Sequence, residues 1–283
     1  MRWVGFVIAC LGWLYSMQSM AAQPSAVEKH LYIQGVDREY LLFDAHQQQP
    51  APLVVVLHGG GGNASRMLKR WQNVAQREGL IVVAPDAEKS TWNATGCCGQ
   101  SLQQQSADTT FIQKLVQEMQ QHYAIDAHRI YVVGFSNGGM LTYQLLAQQH
   151  IPFAAAAVVS GAMFNAQMQQ AQSPVPLLMV HGLQDRVVPM QGGVSQIRFV
   201  ARAQTQAFVP FSTSVEFWQK RNQCQSATRS NTPQVEILSY QHCKADLQIY
   251  QLKDEGHGWI EARRANQFDT TEAIWSFLKQ KHH

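Results

Sequence analysis

Gly134-Phe135-Ser136-Asn137-Gly138 sets a serine between two glycines at G-x-S-x-G spacing. A serine hydroxyl becomes a useful nucleophile when a tight turn presents it and a base takes its proton. The pentapeptide alone is weak evidence, because it arises by chance in about one chain in ten of this length at average residue frequencies. Its setting carries more weight. The apolar run Ile130-Tyr131-Val132-Val133 leads into it and MLTYQLLAQQ follows with helical patterning, the strand–turn–helix context of a nucleophile elbow. In so tight a turn the residues two before and two after the serine must be small. Ser160 also precedes a glycine at a strand end but has no glycine two residues before it, and reads as a turn residue.

The base and the acid lie further along the chain. Of eleven histidines, His257 follows the last strand within Asp254-Glu255-Gly256-His257-Gly258, where flanking glycines let a loop carry an imidazole back over a sheet. Asp185 follows the apolar segment Leu177 to Val180 and the turn His181-Gly182-Leu183-Gln184. The order Ser136, Asp185, His257 is that of a strand–turn–helix serine triad, in which the acid holds the imidazole in one tautomer. Asp254 is the rival acid, although three residues before His257 it reads better as turn-shaping. His58 and His181, at strand ends beside glycines, either line the site or hydrogen-bond within their loops. Asp86 reads as a loop anchor. The run His58-Gly59-Gly60-Gly61-Gly62 lacks the Lys-Ser/Thr of a phosphate-binding loop. Its bare backbone suits an oxyanion hole instead, with Gly59 and Gly60 acting beside the N–H of Asn137.

These residues need a scaffold, and the hydrophobic pattern describes one. HLYIQGVDREYLLFDA reads as two alternating strands about a turn at Gly35-Val36-Asp37. APLVVVLHGGGGN, LIVVAPD, RIYVVGFSNGG, FAAAAVVSG, PVPLLMVHG and ADLQIYQLKDEGHGW read as strands, most apolar on both faces as buried parallel strands are. LKRWQNVAQREG carries Leu68, Trp71, Val74 and Ala75 at helical spacing and stops at Gly79, and a second helix follows, capped by Ser106 or Asp108. The chain closes on an amphipathic helix with Ile274, Trp275, Phe277 and Leu278 inward. Alternating strands and helices point to an α/β fold, a mostly parallel central sheet with helices on both faces and an antiparallel pair at one edge. Residues 186–211, rich in Gly, Gln and Ala, read as an excursion over the sheet edge.

A hydrophobic content of 46% over 283 residues is ample for one core. A net charge of +3 with no basic cluster longer than two residues gives no nucleic-acid footprint. Arg2, the apolar run WVGFVIACLGWLY and the small residues before Ala22-Gln23 read as a signal peptide over residues 1–22, followed by a single catalytic domain over 23–283. The run falls short of the roughly 20 residues of a spanning helix, so no stable membrane association is expected. Val7-Ile8-Ala9-Cys10 resembles a lipobox, but the apolar stretch before Cys10 is very short. Export to a secreted or periplasmic location removes Cys10 and leaves Cys97, Cys98, Cys224 and Cys243, an even number pointing to disulfides. Cys224 with Cys243 is the favoured pair, closing a polar Ser/Thr/Asn-rich stretch and contributing about 3 kcal/mol. Cys97 and Cys98 are then either bridged to each other or reduced. No spacing calls for a metal, and the serine chemistry needs no cofactor.

PLVVVLHGGGGN, TWNATGCCG, DAHRIYVVGFSNGGMLTYQLL, PLLMVHGLQDRVVP, WQKRNQC with YQHC, and EGHGW span most of the mature chain. Together they resemble the secreted polyhydroxybutyrate depolymerase-like esterases, related to feruloyl esterases of the carbohydrate esterase type. The resemblance implies the α/β-hydrolase fold and a triad at Ser136, Asp185 and His257. It further implies hydrolysis of a small ester or ester oligomer: hydroxybutyrate oligomers, feruloyl, acetyl or other short-chain or aromatic esters. Asp254-Glu255 stands where the family has more glycine, and no proline follows Trp259. Trp92 and Trp259 are candidates to stack on a substrate, or else pack within their loops. A peptidase or lipase on the same scaffold and a non-catalytic binding protein are the competing functions. The mature protein is expected to start at Ala22 or Gln23 and to yield a Cys224–Cys243 peptide under non-reducing conditions, which N-terminal sequencing and peptide mapping check. Free thiols at both positions would overturn the pairing.

Overall fold

The structure, a computed structural model, describes residues 25–46, 50–262, 264 and 267–283. The expected leader and Cys10 lie outside the described residues. The strands are Val27–Ile33 (β1), Val36–Asp44 (β2), Ala51–Leu57 (β3), Ile81–Pro85 (β4), Ile125–Phe135 (β5), Ala155–Val159 (β6), Leu177–Gly182 (β7), Ser226–Asn231 (β8), Val235–Gln241 (β9) and Leu247–Leu252 (β10). They form one sheet in the order β1-β2-β4-β3-β5-β6-β7-β10-β9-β8. The six strands from β4 to β10 in that order are parallel, and both flanks are antiparallel. The first hairpin turns at Gln34-Gly35, both at positive φ, one residue before the turn expected from the sequence, because Val36 and Asp37 already pair with Ile33 and Tyr32.

The helices are Ala64–Glu78 (α1), Gly99–Gln103 (α2), Asp108–His122 (α3), Asn137–Gln148 (α4), Asn165–Gln170 (α5), Arg198–Ala203 (α6), Phe211–Arg221 (α7) and Thr270–Leu278 (α8). Strand alternation divides the core in two. Leu53, Val55 and Leu57 of β3 join Phe111, Leu115, Leu145 and Trp218 from α3, α4 and α7. Val54 and Val56 turn the other way, to Met67, Trp71, Ile274 and Trp275 from α1 and α8. Helices therefore cover both faces, as the runs apolar on both sides demand. α1 starts where the Asn63 side chain accepts from Arg66 N–H and stops at Gly79 in the left-handed conformation.

Two expectations are corrected. Residues between Cys224 and Cys243, read as a polar stretch with no strand assigned, form the β8–β9 hairpin; β8 is exposed along its whole length, so it carries no apolar alternation to read. Its base brings Cys224 and Cys243 together, where they are bonded. Neither Ser106 nor Asp108 caps α3, whose N-cap is Ala107 with no side-chain cap. Asp108 is instead buried against Arg38 of β2, accepting from its Nη2–H at 2.7 Å and from Asn93 N–H at 2.7 Å. Arg38 also donates to Asp86 O at 3.3 Å and stacks over Phe111. This pair ties the loops after β4 to the first sheet edge. Asp108→Ala leaves a buried guanidinium unpaired, and is expected to lower unfolding free energy by about 3–5 kcal/mol, read from denaturant midpoints. A loss under 1 kcal/mol would show that the pair is not carrying those loops.

Candidate active site

β5 ends at Phe135 and α4 begins at Asn137, so one residue makes the whole turn. Ser136 takes φ 53° and ψ −118°, a backbone state costly for any residue with a Cβ. Its N–H donates to Val159 O at 2.8 Å and its carbonyl accepts from Met140 N–H at 3.0 Å, so β6 and α4 hold the conformation from both sides. A Cβ on Gly134 would collide with Gly138 O, and one on Gly138 would lie 2.5 Å from the carbonyl oxygens of Leu57 and His58. The two motif glycines let strand, helix and the glycine loop after β3 meet around one hydroxyl.

The loops after β7 and β10 are joined by backbone bonds, Leu183 N–H to Leu252 O and Gln184 N–H to Glu255 O, both 2.9 Å. Gly182 makes that approach possible, since a Cβ there would overlap the carbonyls of Glu255 and Gly256. Ser136, Asp185 and His257, spread over 121 residues, are thereby brought into one line. His257 Nε2 stands 2.9 Å from Ser136 Oγ, and its Nδ1 stands 2.8 Å from Asp185 Oδ2. An ionised carboxylate only accepts, so Nδ1–H donates to it and Nε2 of the neutral ring accepts from the serine hydroxyl. Asp254 is exposed in the turn between β10 and His257.

His58 and His181 are both buried and both fix loops. His58 Nε2 accepts from Ala87 N–H at 3.0 Å, so its Nδ1–H donates to Gly59 O at 2.8 Å. Gly62 N–H donates to the same carbonyl at 2.9 Å. The Gly59 carbonyl is drawn to that side, and in a trans peptide the Gly60 N–H points the opposite way. The Cβ position of Gly59 lies 3.1 Å from Ser136 Cβ, and that of Gly60 lies 3.7 Å from Asn137 Cβ. Gly59, Gly60 and Asn137 thus border the serine together. Asp86 accepts from Ala64 N–H at 2.7 Å, anchoring the start of α1.

The sequence alone did not reveal the work of the Asn137 side chain. Its Oδ1 accepts from Trp92 N–H at 2.6 Å, and its Nδ2 donates to the carbonyls of Trp92 and Cys97 at 3.1 and 3.2 Å. It clamps the 92–97 loop to the elbow, and Cys97 and Cys98 in that loop are bonded to each other. An amide immediately after the serine, with polar loop residues elsewhere to receive it, is the signal that was present. Of the two readings that the sequence leaves open for the tryptophans, the structure displays packing within their loops. Trp92 is fully buried with its Nε1–H donating to His58 O at 2.8 Å, and Trp259 is 7% exposed with its Nε1–H donating to Thr271 Oγ1 at 3.0 Å. Both rings are spent on packing the loops. Among the described residues, no group of three or more His, Cys, Asp or Glu side chains is placed to hold a metal ion, and no helix is long and apolar enough to cross a membrane.

A sequence profile of the phospholipase/carboxylesterase family matches residues 39–220. The chain belongs to that family. Curated relatives of this carboxylesterase-family protein include a bifunctional acetylxylan esterase/xylanase of Neocallimastix patriciarum, 29% identical over 87% of this chain and 34% of that protein. Feruloyl esterase B of Piromyces equi is 27% identical over 81% of this chain and 42% of that protein. The chain therefore spans less than half the length of these two relatives. Among solved structures, an acetyl xylan esterase from Aspergillus awamori superposes with TM-score 0.62 at 14% identity, covering 89% of this chain and 99% of that one. A ferulic acid esterase from Anaeromyces mucronatus gives 0.59 at 14% identity, covering 93% of each chain. These esterase neighbours share the α/β-hydrolase fold described above.

In this family member, Asp185 is the most heavily bonded carboxylate at the site. Oδ1 accepts from the N–H groups of Val187 and Val188, both at 2.8 Å. Oδ2 faces His257 and lies 3.3 Å from Nε2 of His181, whose N–H donates to Val188 O at 2.8 Å. Burial by itself would push this carboxyl up, but the hydrogen bonds and charges of His181 and His257 outweigh it and hold the group well below the usual carboxylate range. A carboxyl whose folded pKa lies below its unfolded value of about 3.9 contributes stability above that pH and loses it as pH falls toward the folded value. The stability difference between wild type and Asp185→Asn is therefore expected to be largest above about pH 5 and to shrink on acidification. Denaturant unfolding from pH 2 to 8 reads it, and a gap that widens in acid would contradict the assignment.

Proposed function

We propose that this protein is a serine carboxylic ester hydrolase with Ser136 as nucleophile, Asp185 as acid and His257 as base. The observation that carries the reading is the continuous line from Ser136 Oγ through His257 to Asp185, at 2.9 and 2.8 Å. The mechanism follows from it. Ser136 Oγ attacks the ester carbonyl while His257 Nε2 takes the hydroxyl proton. Asp185 stabilises the imidazolium and keeps Nδ1 as the donor. The carbonyl oxygen becomes an oxyanion facing the N–H groups of Gly60 and Asn137 beside Gly59. His257 then protonates the departing alkoxide, and water repeats the cycle on the acyl-enzyme. Clamping of Asn137 by the 92–97 loop supports its N–H as a fixed donor, the condition under which such a group lowers a barrier.

The substrates proposed are short-chain or aromatic acyl esters and oligomers of hydroxybutyrate type, hydrolysed by a single catalytic domain over residues 23–283. Relatives named for feruloyl and acetylxylan ester hydrolysis support the small-ester class. Export is supported by the two disulfides, which persist in oxidising compartments.

Ser136→Ala is expected to fold normally, lose ester hydrolysis and lose covalent labelling by an organophosphorus reagent. Labelling that survives in this variant removes Ser136 from the role. Asp185→Asn is expected to lower kcat on the order of 10⁴-fold, and Asp254→Asn far less; the reverse ranking would give the acid to Asp254. Butyryl esters should exceed decanoyl esters and a matched anilide in kcat/KM, and a preference for either of the latter would overturn the substrate class.

A further inference from the structure

Beside the glycine loop lies a cavity of about 90 Å³, walled by that loop, by Arg66, Met67 and Arg70 of α1, and by Phe135. It holds more charge than the hydrolytic mechanism uses. Arg66 and Arg70 stand one helical turn apart; burial chiefly disfavours the charge on Arg70, Glu261 favours it, and Arg66 adds a smaller repulsion. Arg70 Nε donates to the exposed Glu261 at 3.2 Å. Arg66 is exposed, and among the described residues its guanidinium has no hydrogen-bond or ion-pair partner. Two cations thus wall one small pocket, Arg70 paired with the exposed Glu261 and Arg66 left open to an incoming anion.

The pocket also lies close to the chemistry. The Arg70 guanidinium sits 5.6 Å from the Phe135 ring centre and 5.4 Å from that of Trp259, held between two aromatic faces. The Phe135 ring in turn lies 5.2 Å from the His257 ring. The cationic pocket is therefore one aromatic ring away from the imidazole. In the mechanism above, His257 hands its proton to the departing alkoxide, so the alcohol part of the ester lies on the His257 side of Ser136. A guanidinium fork matches carboxylate geometry, so a carboxylate is the guest that two arginines at the pocket wall suit.

We propose that Arg66 and Arg70 form a carboxylate subsite for the alcohol portion of the substrate, so that the preferred esters are those of hydroxy acids with a free carboxyl end. This rests on the esterase reading and narrows it: the enzyme cleaves the terminal ester of a short oligo(hydroxy acid), with the leaving hydroxy acid anchored by its charge. Feruloyl and acetyl esters of neutral sugars lack that anchor.

The test uses two esters with the same acyl group and the same alcohol skeleton, 3-butyryloxybutanoate and its neutral primary amide. At low ionic strength the wild-type kcat/KM is expected to favour the free acid by about tenfold or more, and added salt should narrow the ratio by screening. Arg66→Gln should cut the acid-to-amide ratio by about tenfold, acting mainly through KM of the acid. Arg66 is an exposed helix residue, so this variant does not disturb the core. A wild-type ratio of one or below, or a ratio that Arg66→Gln leaves unchanged, overturns the subsite. Hydrolysis of neither ester would instead overturn the esterase reading on which it rests.

Discussion

Every other feature of the site is arranged around one strained residue. Ser136 occupies a positive φ that a side chain normally avoids, at the junction where β5 gives way to α4 without a connecting loop. Such a state costs on the order of 1–3 kcal/mol and persists only where the surroundings over-determine it. Here β6 accepts the serine N–H, α4 uses its carbonyl, and the glycine loop after β3 presses carbonyls against Gly138. The strained residue sits at the end of a parallel strand whose preceding residues, Ile130 to Val133, are fully buried between the two helix layers. That placement lifts the hydroxyl clear of the backbone, within reach of a histidine from another loop.

The loops around the serine are held mainly by polar side chains that are themselves buried. Asn137 clamps the 92–97 loop, His58 orients the glycine loop and ties it to Ala87, and Arg38 with Asp108 fixes the segments at 86 and 93. Asp185 orders the turn after β7 through two backbone N–H groups while facing two histidines. Buried polar groups of this kind are costly unless every partner is present, so each network selects one loop conformation. The site is rigid where donors must be aimed. Its charged surface lies on α1, where Arg66 and Arg70 border the same glycine loop from the outside.

The two ends of the sheet are handled differently. The first hairpin is backed by α3 and contributes Tyr40 and Leu42 to the core. The last, β8–β9, has a polar exposed outer strand and is closed at its base by the Cys224–Cys243 bond. A strand with so little buried surface gains little from packing, and the covalent closure limits the conformations open to its unfolded chain.

Much of this protein was readable before folding was considered. Runs apolar on both faces, punctuated by glycine, specify buried parallel strands; the spacing of Leu68, Trp71, Val74 and Ala75 specifies a helix ended by Gly79. G-x-S-x-G between a strand and a helix leaves few other geometries. These are local properties, written in residue periodicity and in the φ range that glycine alone enters freely. The β8–β9 hairpin was invisible because an exposed edge strand has no hydrophobic period. The true work of Asp108, Trp92, Trp259 and the Asn137 side chain was invisible for another reason: each acts on a partner 12 to 70 residues away. Whether a polar or aromatic group faces solvent or spends itself inside depends on which distant backbone atoms arrive beside it. Only the packed tertiary structure decides that.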